Sequence, residues 1–470
     1  MNFTSLTFLI FFLLVLTFYW FAREKNIQNS ILLLTSYLFL GWYRWQFALL
    51  LGILTIADYV IILQMILWPE QRERKRWLVL GIGLNLGSLF LFKYFNFFSE
   101  SIRTLFYLFG FQISTYTLDL LLPLGISFYT LKKISYLLDI YRKTVLPEKN
   151  FIQFALYAAF FPQVVAGPIE SHRNFFSQIA QRRIWSKSYF VAAWPLLIMG
   201  FFKKIVIADN VKIIVDKIYL LGEPPKFLLL AGTLAFTLQI LMDFSAYTDL
   251  ARGFAYLLGL ETSKNFNNPY LAISPTQFWD RWHITFSNWL RDYIFFPIRR
   301  SLVRKYRHRH KYLPLLLPPL ITMLLSGLWH GVGRTYLFWG LFHGIIIIIY
   351  QALGLGGSWR PQGKVKMFFA WMVMFALIVF SWSIFRAPSL FWLYNAWFRT
   401  PWTATQYDFI AAWVSLSLIL FYALFLIIKL LIDRYFPKSD WVQGFYFATV
   451  TVLIIIYINT GSSDFIYAQF

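Results

Sequence analysis

Uninterrupted apolar runs of spanning length recur along this chain, among them Phe3 to Ala22, Phe47 to Trp68, Trp77 to Phe98 and Phe409 to Leu431. A helix needs about 20 apolar residues to cross the hydrocarbon core of a bilayer. There every backbone N–H and C=O must be satisfied within a helix or a closed barrel. Barrel strands alternate in polarity and run only about 10 residues, whereas these runs are continuous. The expected fold class is all-α and integral to a membrane. Charge content agrees: Asp, Glu, Lys and Arg make up 14% of the 470 residues, against roughly 25% in soluble domains.

The first run differs from a secretory signal, because no Lys or Arg precedes it, Arg23 and Lys25 follow it, and it exceeds the usual 7 to 15 apolar residues of a signal core. It is read as a retained first helix. A formal charge of +22 would point to nucleic acid in a soluble protein. In a membrane protein it is first a topological signal, since basic residues collect in cytoplasmic loops. Basic groups follow the first run (Arg23, Lys25), the third (Arg72, Arg74, Lys75, Arg76) and the fifth (Arg142, Lys143, Lys149). Both termini are therefore expected outside, and no nucleic-acid partner is expected. The absence of cysteine excludes disulfides, thiolate metal sites and a Cys nucleophile.

The chain reads as a single polytopic domain over 1–470. Its first third reads as five ordinary spans, the last from Leu120 to Tyr141. Phe151 to Ala166 is too short to cross and has basic residues on both sides, so it is expected to be re-entrant, with Pro162, Gly167 and Pro168 as breakers. Apolar helices follow at Tyr189 to Ile207 and Phe227 to Met242. The stretch 243–311 then mixes Asp243, Asp249, Arg252, Lys264, Asp280, Arg281, His283, Arg291 and Asp292 with many aromatics. It is too polar for lipid and too aromatic for a free loop, so a buried helical core around a cavity is expected. Within it Trp282, Phe286, Trp289 and Tyr293 form a helical stripe, which packing alone would explain. Arg299 to Lys311 is a basic cytoplasmic segment, suited to anionic lipid headgroups and to a polyanionic cytosolic donor. Further spans are expected at Leu313 to Val332, Tyr336 to Tyr350, Lys366 to Phe385, Phe409 to Leu431 and Trp441 to Ile458.

Ionisable groups at membrane depth are functional candidates, which directs attention to the six histidines. His308 and His310 belong to the basic segment. His172, in Gly167-Pro-Ile-Glu-Ser-His172, is expected near an interface and solvated. His283, His330 and His343 lie in apolar or aromatic surroundings. A structural hydrogen bond is the more ordinary role for a lone histidine on such a helix. His330 has the stronger local case: it sits in Ser326-Gly-Leu-Trp-His-Gly331, where small residues permit close approach. Burial would keep its imidazole neutral and available as a base. A packed helix crossing would suit the same residues.

Longer motifs carry a resemblance. They are Leu122-Pro-Leu-Gly-Ile-Ser-Phe128 with Ile134-Ser-Tyr136 and Asp139-Ile-Tyr-Arg142, Val165-Ala-Gly-Pro-Ile169, Phe202-Lys-Lys204 with Ile207-Ala-Asp-Asn210, Met242-Asp-Phe-Ser245, and Asn265-Phe-Asn-Asn-Pro-Tyr270. The strongest are Phe278-Trp-Asp-Arg-Trp-His283, running into Trp289-Leu-Arg-Asp-Tyr293, and Leu325-Ser-Gly-Leu-Trp-His-Gly331. In this order they resemble the membrane-bound O-acyltransferase family, in its bacterial exopolysaccharide-modifying branch. The resemblance covers most of the chain. It departs at the basic run after Tyr293 and at Lys132-Lys133, where relatives are commonly uncharged.

The resemblance implies about 11–12 transmembrane helices plus re-entrant helices, forming a ring around a central tunnel. It implies His330 as the catalytic base and His283 as its supporting or second catalytic residue. Acetyl-CoA is the implied donor, with no permanently bound cofactor and no metal. The acceptor would be hydroxyls of an extracytoplasmic polysaccharide, alginate-like or other, reached directly or through a partner of the SGNH-hydrolase-like acetyltransferase type. The implied location is a bacterial inner membrane. The tail 465–470 resembles a C-terminal acyl-relay pattern, which would make Tyr467 an acyl carrier. Asn265, Asn267 and Asn268 are read either as cavity lining or, before Pro269, as a turn. D-alanyl transfer to a cell-wall polymer and, in another class, transport remain the alternatives; no internal repeat of the kind transporters show is visible.

Overall fold

The computed structural model describes residues 1–114, 116–306, 312–357, 359–458 and 465–466; His308, His310 and Tyr467 lie outside them. Among the described residues the regular structure is entirely helical. Among these residues nine helices are long and apolar enough to cross a membrane: Trp45–Leu67, Gln71–Leu108, Lys187–Tyr219, Lys226–Leu257, Leu313–His330, Arg334–Ala352, Lys364–Arg386, Gln406–Tyr435 and Asp440–Tyr457. At a rise of about 1.5 Å per residue, even the 18-residue members reach roughly 27 Å, close to the apolar thickness of a bilayer. Leu6–Phe21 is a shorter apolar helix.

The outward faces invert the soluble pattern. Leu49, Ile53, Ile56 and Val60 are exposed on Trp45–Leu67, while Asp58 of the same helix is buried. Gln406–Tyr435 likewise exposes Phe409, Ile410, Trp413, Leu420, Phe421 and Leu424. Apolar surface on this scale on the outside of a helix requires lipid around it. The protein is a multi-pass membrane protein.

The chain falls into two compact units, residues 1–193 with 251–263 and residues 194–250 with 264–470. The core of the first is aromatic: Phe3, Phe8, Phe12, Phe161 and Phe254 meet with ring centroids as close as 4.7 Å. Leu120 to Tyr141 is not an ordinary span. The helix begins only at Ile126, has 16 residues, and buries nearly all of them. Gly125 explains the late start. Its φ is +74°, and a Cβ there would lie 2.0 Å from the Val164 carbonyl oxygen, so the chain turns at a backbone–backbone contact that only glycine permits.

Burial also accounts for Lys132 and Lys133. Lys133 forms an ion pair of 2.9 Å with Asp58, and Asn85 donates to the same carboxylate at 2.8 Å. Lys132 donates to the Tyr157 carbonyl at 2.7 Å, and its ammonium lies 4.5 Å from the Tyr157 ring centroid. The expected re-entrant stretch is two short helices, Phe151–Ala159 and Phe161–Val164, broken at Phe160 with Pro162 in the first turn of the second. Nine residues rise only about 14 Å, so this segment cannot cross.

His172 is buried rather than solvated. It packs 5.1 Å from the Tyr136 ring, with Asp139 3.9 Å from Nε2. Burial lowers its pKa below the ordinary imidazole value; Asp139 opposes the shift and Arg173 adds to it.

The apolar helix expected to end at Met242 continues beyond it. Lys226–Leu257 is one continuous helix of 32 residues, and the charges that seemed to end it are paired: Asp243 with Lys204 at 2.8 Å, buried, and Asp249 with Lys203 at 2.6 Å, partly buried. A paired charge inside protein needs no break in the helix that carries it.

Candidate active site

His330 is the last residue of Leu313–His330, and the chain turns through Gly331 to Gly333 into Arg334–Ala352. Two glycines let these helices touch backbone to backbone. A Cβ on Gly327 would lie 2.2 Å from the Tyr336 carbonyl oxygen, and one on Gly340 2.3 Å from that of Met323. Small residues commonly permit such close crossings in membranes, and here the crossing fixes where His330 stands. Its ring is buried, 2% exposed. It meets Trp329, Trp339, Phe385 and Phe286 at centroid distances of 4.9, 5.3, 5.5 and 5.8 Å.

His283 reaches the same cluster from a loop. It precedes the helix Ile284–Leu290 with φ +43° and ψ +53°, a left-handed conformation that is uncommon outside glycine. Asn265 holds it there. The Asn265 carbonyl accepts from Ile284 N–H at 2.9 Å, and its side-chain oxygen accepts from Thr285 N–H at 3.1 Å and Thr285 Oγ1 at 2.7 Å. Asn265 is therefore a loop clamp, and Asn268, at φ +47° before Pro269, makes the turn. The His283 ring packs on Phe244 at 4.7 Å, Phe286 at 5.0 Å and Trp329 at 6.2 Å. Burial lowers its pKa below the usual imidazole value. Phe286 and Trp329, stacked at 4.3 Å, thus touch both histidines. The expected helical stripe is only partly helical, since Trp282 lies before the helix. Trp282 and Phe286 are buried, while Trp289 and Tyr293 are partly exposed.

His343 joins the same cluster, although its sequence setting did not distinguish it from a packing histidine. It lies 4.8 Å from Trp339, which also contacts His330, and 5.1 Å from Trp279. Neither ring nitrogen of His343 has a hydrogen-bond partner among the described residues, and the same holds for the indole N–H groups of Trp279, Trp339 and Trp382. Thr322 and Ser326 precede His330 by eight and four residues on one helix face, are buried, and have hydroxyls without partners among the described residues. Buried polar groups are normally satisfied by protein or ordered water. Thr322 and Ser326 on the His330 helix, and Trp339 against the His330 ring, are groups of this kind.

A cavity of about 500 Å³ adjoins Phe385. Lys212, Asp216, Gln239, Thr335, Tyr336, Phe385, Arg386 and Ile466 are among its lining residues. Asp216 pairs with Arg386 at 2.9 Å and also with Lys212, so these three side chains carry one net positive charge. Gln239 is buried, and its carbonyl oxygen has no hydrogen-bond partner among the described residues. Phe385 is shared by this cavity and the His330 cluster. Among the described residues no group of three or more His, Asp or Glu is placed to hold a metal ion.

These features describe a multi-pass membrane protein with buried histidines in an aromatic cluster, one member of which, Phe385, also lines a polar cavity. The chain belongs to the membrane-bound O-acyltransferase family, whose model matches residues 145–397. It is 37% identical over 394 residues to the "probable alginate O-acetylase" of Pseudomonas aeruginosa, covering 83% of this chain and 73% of that one. It is 30% identical to the peptidoglycan O-acetyltransferase of Helicobacter pylori, covering 79% and 73%. To the teichoic acid D-alanyltransferase of Bacillus subtilis it is 25% identical, covering 56% and 68%. The protein is an O-acyltransferase; transport is set aside.

Proposed function

We propose that this enzyme transfers an acetyl group from cytosolic acetyl-CoA to hydroxyls of an extracytoplasmic polysaccharide, with His330 as general base. The observation that carries the reading is the position of His330: buried, with polar groups on its own helix face that lack partners among the described residues, and with one wall, Phe385, shared with a polar cavity. The acceptor hydroxyl approaches through the cavity, and the thioester arm of the donor lies along Thr322, Ser326 and His330. A nitrogen of His330 takes the hydroxyl proton as the oxygen attacks the thioester carbonyl carbon. Collapse of the tetrahedral intermediate expels the CoA thiolate, which takes up the proton and leaves an acetyl ester. Such a base contributes about 10²–10⁴-fold, and a site without bulk water limits hydrolysis of the thioester. His283 supports this centre through Phe286 and Trp329.

The choice of acetyl and of a polysaccharide rests on the relatives named for O-acetylation of alginate and of peptidoglycan. In this reading the protein lies in a bacterial cytoplasmic membrane with both termini outside. It passes the acetyl group directly or through an SGNH-hydrolase-like partner, with Tyr467 as an acyl carrier at the outer side. The test is purified protein with radiolabelled acetyl-CoA and an oligosaccharide acceptor, compared with His330→Ala. Loss of acetyl transfer by 10²-fold or more is expected; equal transfer by both proteins refutes the assignment. Tyr467→Phe separates the two routes, because full acceptor acetylation by that variant eliminates the relay.

A further inference from the structure

Lys204, Asp209 and Asp243 form a charged group deep in the second unit that neither the base nor the cavity uses. The Lys204 ammonium lies 2.9 Å from Asp209 and 2.8 Å from Asp243, and all three side chains are at most 8% exposed. Lys204 sits in a widened helical turn, Phe202–Ala208. Asp243 lies midway along Lys226–Leu257. An ion pair this buried gains little net stability over an apolar packing of the same volume, so its presence calls for a further role.

That role is visible at the other end of the chain. The backbone N–H of Ile466 donates to the second oxygen of Asp243 at 2.6 Å. The Phe465 ring lies over the Lys204 ammonium, 4.4 Å from its centroid. It also meets Tyr247 edge-on at 5.2 Å and is 3% exposed. Gln239, Asp243 and Tyr247 recur every four residues, one face of a single helix. Asp243 and Tyr247 hold Phe465 and Ile466, and Gln239 and Ile466 both line the cavity whose wall Phe385 touches His330.

We propose that Lys204, Asp209 and Asp243 are a latch for the C-terminal segment, gripping Phe465 by its ring and Ile466 by its amide so that Ile466 becomes a wall of the acceptor cavity. They are positioning residues: they act on transfer through the segment they hold. The binding of the segment stands on the contacts alone, while its importance for transfer rests on the function proposed above.

The absence of native cysteine makes a direct test available. In an Ile466→Cys background the introduced thiol is the sole one, and its rate of maleimide labelling reports whether the segment is held. Asp243→Leu removes the acceptor for the Ile466 amide, and labelling should accelerate at least tenfold. Asp243→Asn keeps an acceptor oxygen and leaves Lys204 balanced by Asp209, so labelling should stay near the parent rate. Phe465→Ala releases the ring while leaving all three charged side chains and their ion pairs in place, and should accelerate labelling even if Asp243→Leu folds poorly.

In the native Ile466 background, Asp243→Leu should lower kcat for acetyl transfer at least tenfold with the KM for acetyl-CoA within twofold, and Asp243→Asn should restore kcat. Unchanged labelling in both Asp243→Leu and Phe465→Ala overturns the latch, as does equal acceleration by Asp243→Leu and Asp243→Asn. If labelling responds as expected and the parent transfers no acetyl group, the latch stands and the proposed function falls.

Discussion

Gly327→Ala adds one methyl group at the helix contact that positions His330. The added Cβ would sit 2.2 Å from the Tyr336 carbonyl oxygen. A carbon and a carbonyl oxygen approach to about 3.3 Å at closest, so the two must separate by 3.3 − 2.2, about 1 Å. Both partners are backbone, hence no side chain can rotate away, and the helices Leu313–His330 and Arg334–Ala352 must shift as bodies. His330 lies three residues beyond Gly327, so the shift passes to the imidazole. A displacement of about 1 Å costs on the order of 10² in rate, and overpacking of this kind costs about 1–3 kcal/mol of stability. Gly83→Ala is the matched control, because nothing lies within 4 Å of its added Cβ. Acetyl transfer by purified variants, with unfolding followed in the same detergent, should show kcat falling about 10²-fold in Gly327→Ala and unchanged in Gly83→Ala. Full turnover by Gly327→Ala would refute the claim that this helix contact sets the position of His330.

Lys133→Met strands the buried Asp58 and should cost about 3–5 kcal/mol; adding Asp58→Leu should recover most of that loss, as read from unfolding midpoints. A double variant no more stable than the single one would mean that the pair is not the source. Asn265→Leu removes the acceptor that holds Thr285, freeing the strained His283 loop. It should reduce kcat by more than it raises KM for acetyl-CoA. His172 has its folded pKa depressed by burial below the ordinary 6.5, so the unfolded chain binds the proton more readily. Its contribution to stability is complete above pH 6.5 and declines as the pH falls from there toward the folded value. His172→Gln should therefore flatten the fall of the unfolding midpoint between pH 7 and pH 5, and an unchanged slope would assign that fall to other groups.

The membrane class was legible from continuity alone, because the bilayer allows so few ways to satisfy the backbone that a run of about 20 apolar residues has one structural meaning. The short segment at Phe151 was legible for the same reason, since length limits what can cross. His283 and His330 were identifiable through motif order. Local composition could not separate them from His343, whose sequence surroundings are just as apolar.

What stayed hidden depended on partners distant in sequence. Lys132 and Lys133 read as a departure from uncharged relatives and Asp243 as the start of a polar stretch; each charge is accommodated because Tyr157, Asp58 or Lys204 stands within about 3 Å. His172 read as solvated because nothing nearby in sequence announces that Tyr136 will cover it. Asn265 acts on a loop 20 residues away, and Phe465 and Ile466 on a helix more than 200 residues earlier. The sequence by itself determined that the chain lies in a membrane as helices and which histidines to inspect, since hydrophobic length and motif order are local. Only the tertiary structure decided which charges are paired, which histidines share one aromatic cluster, and where the C-terminal segment is held. Those depend on distances between residues that the chain brings together only by folding.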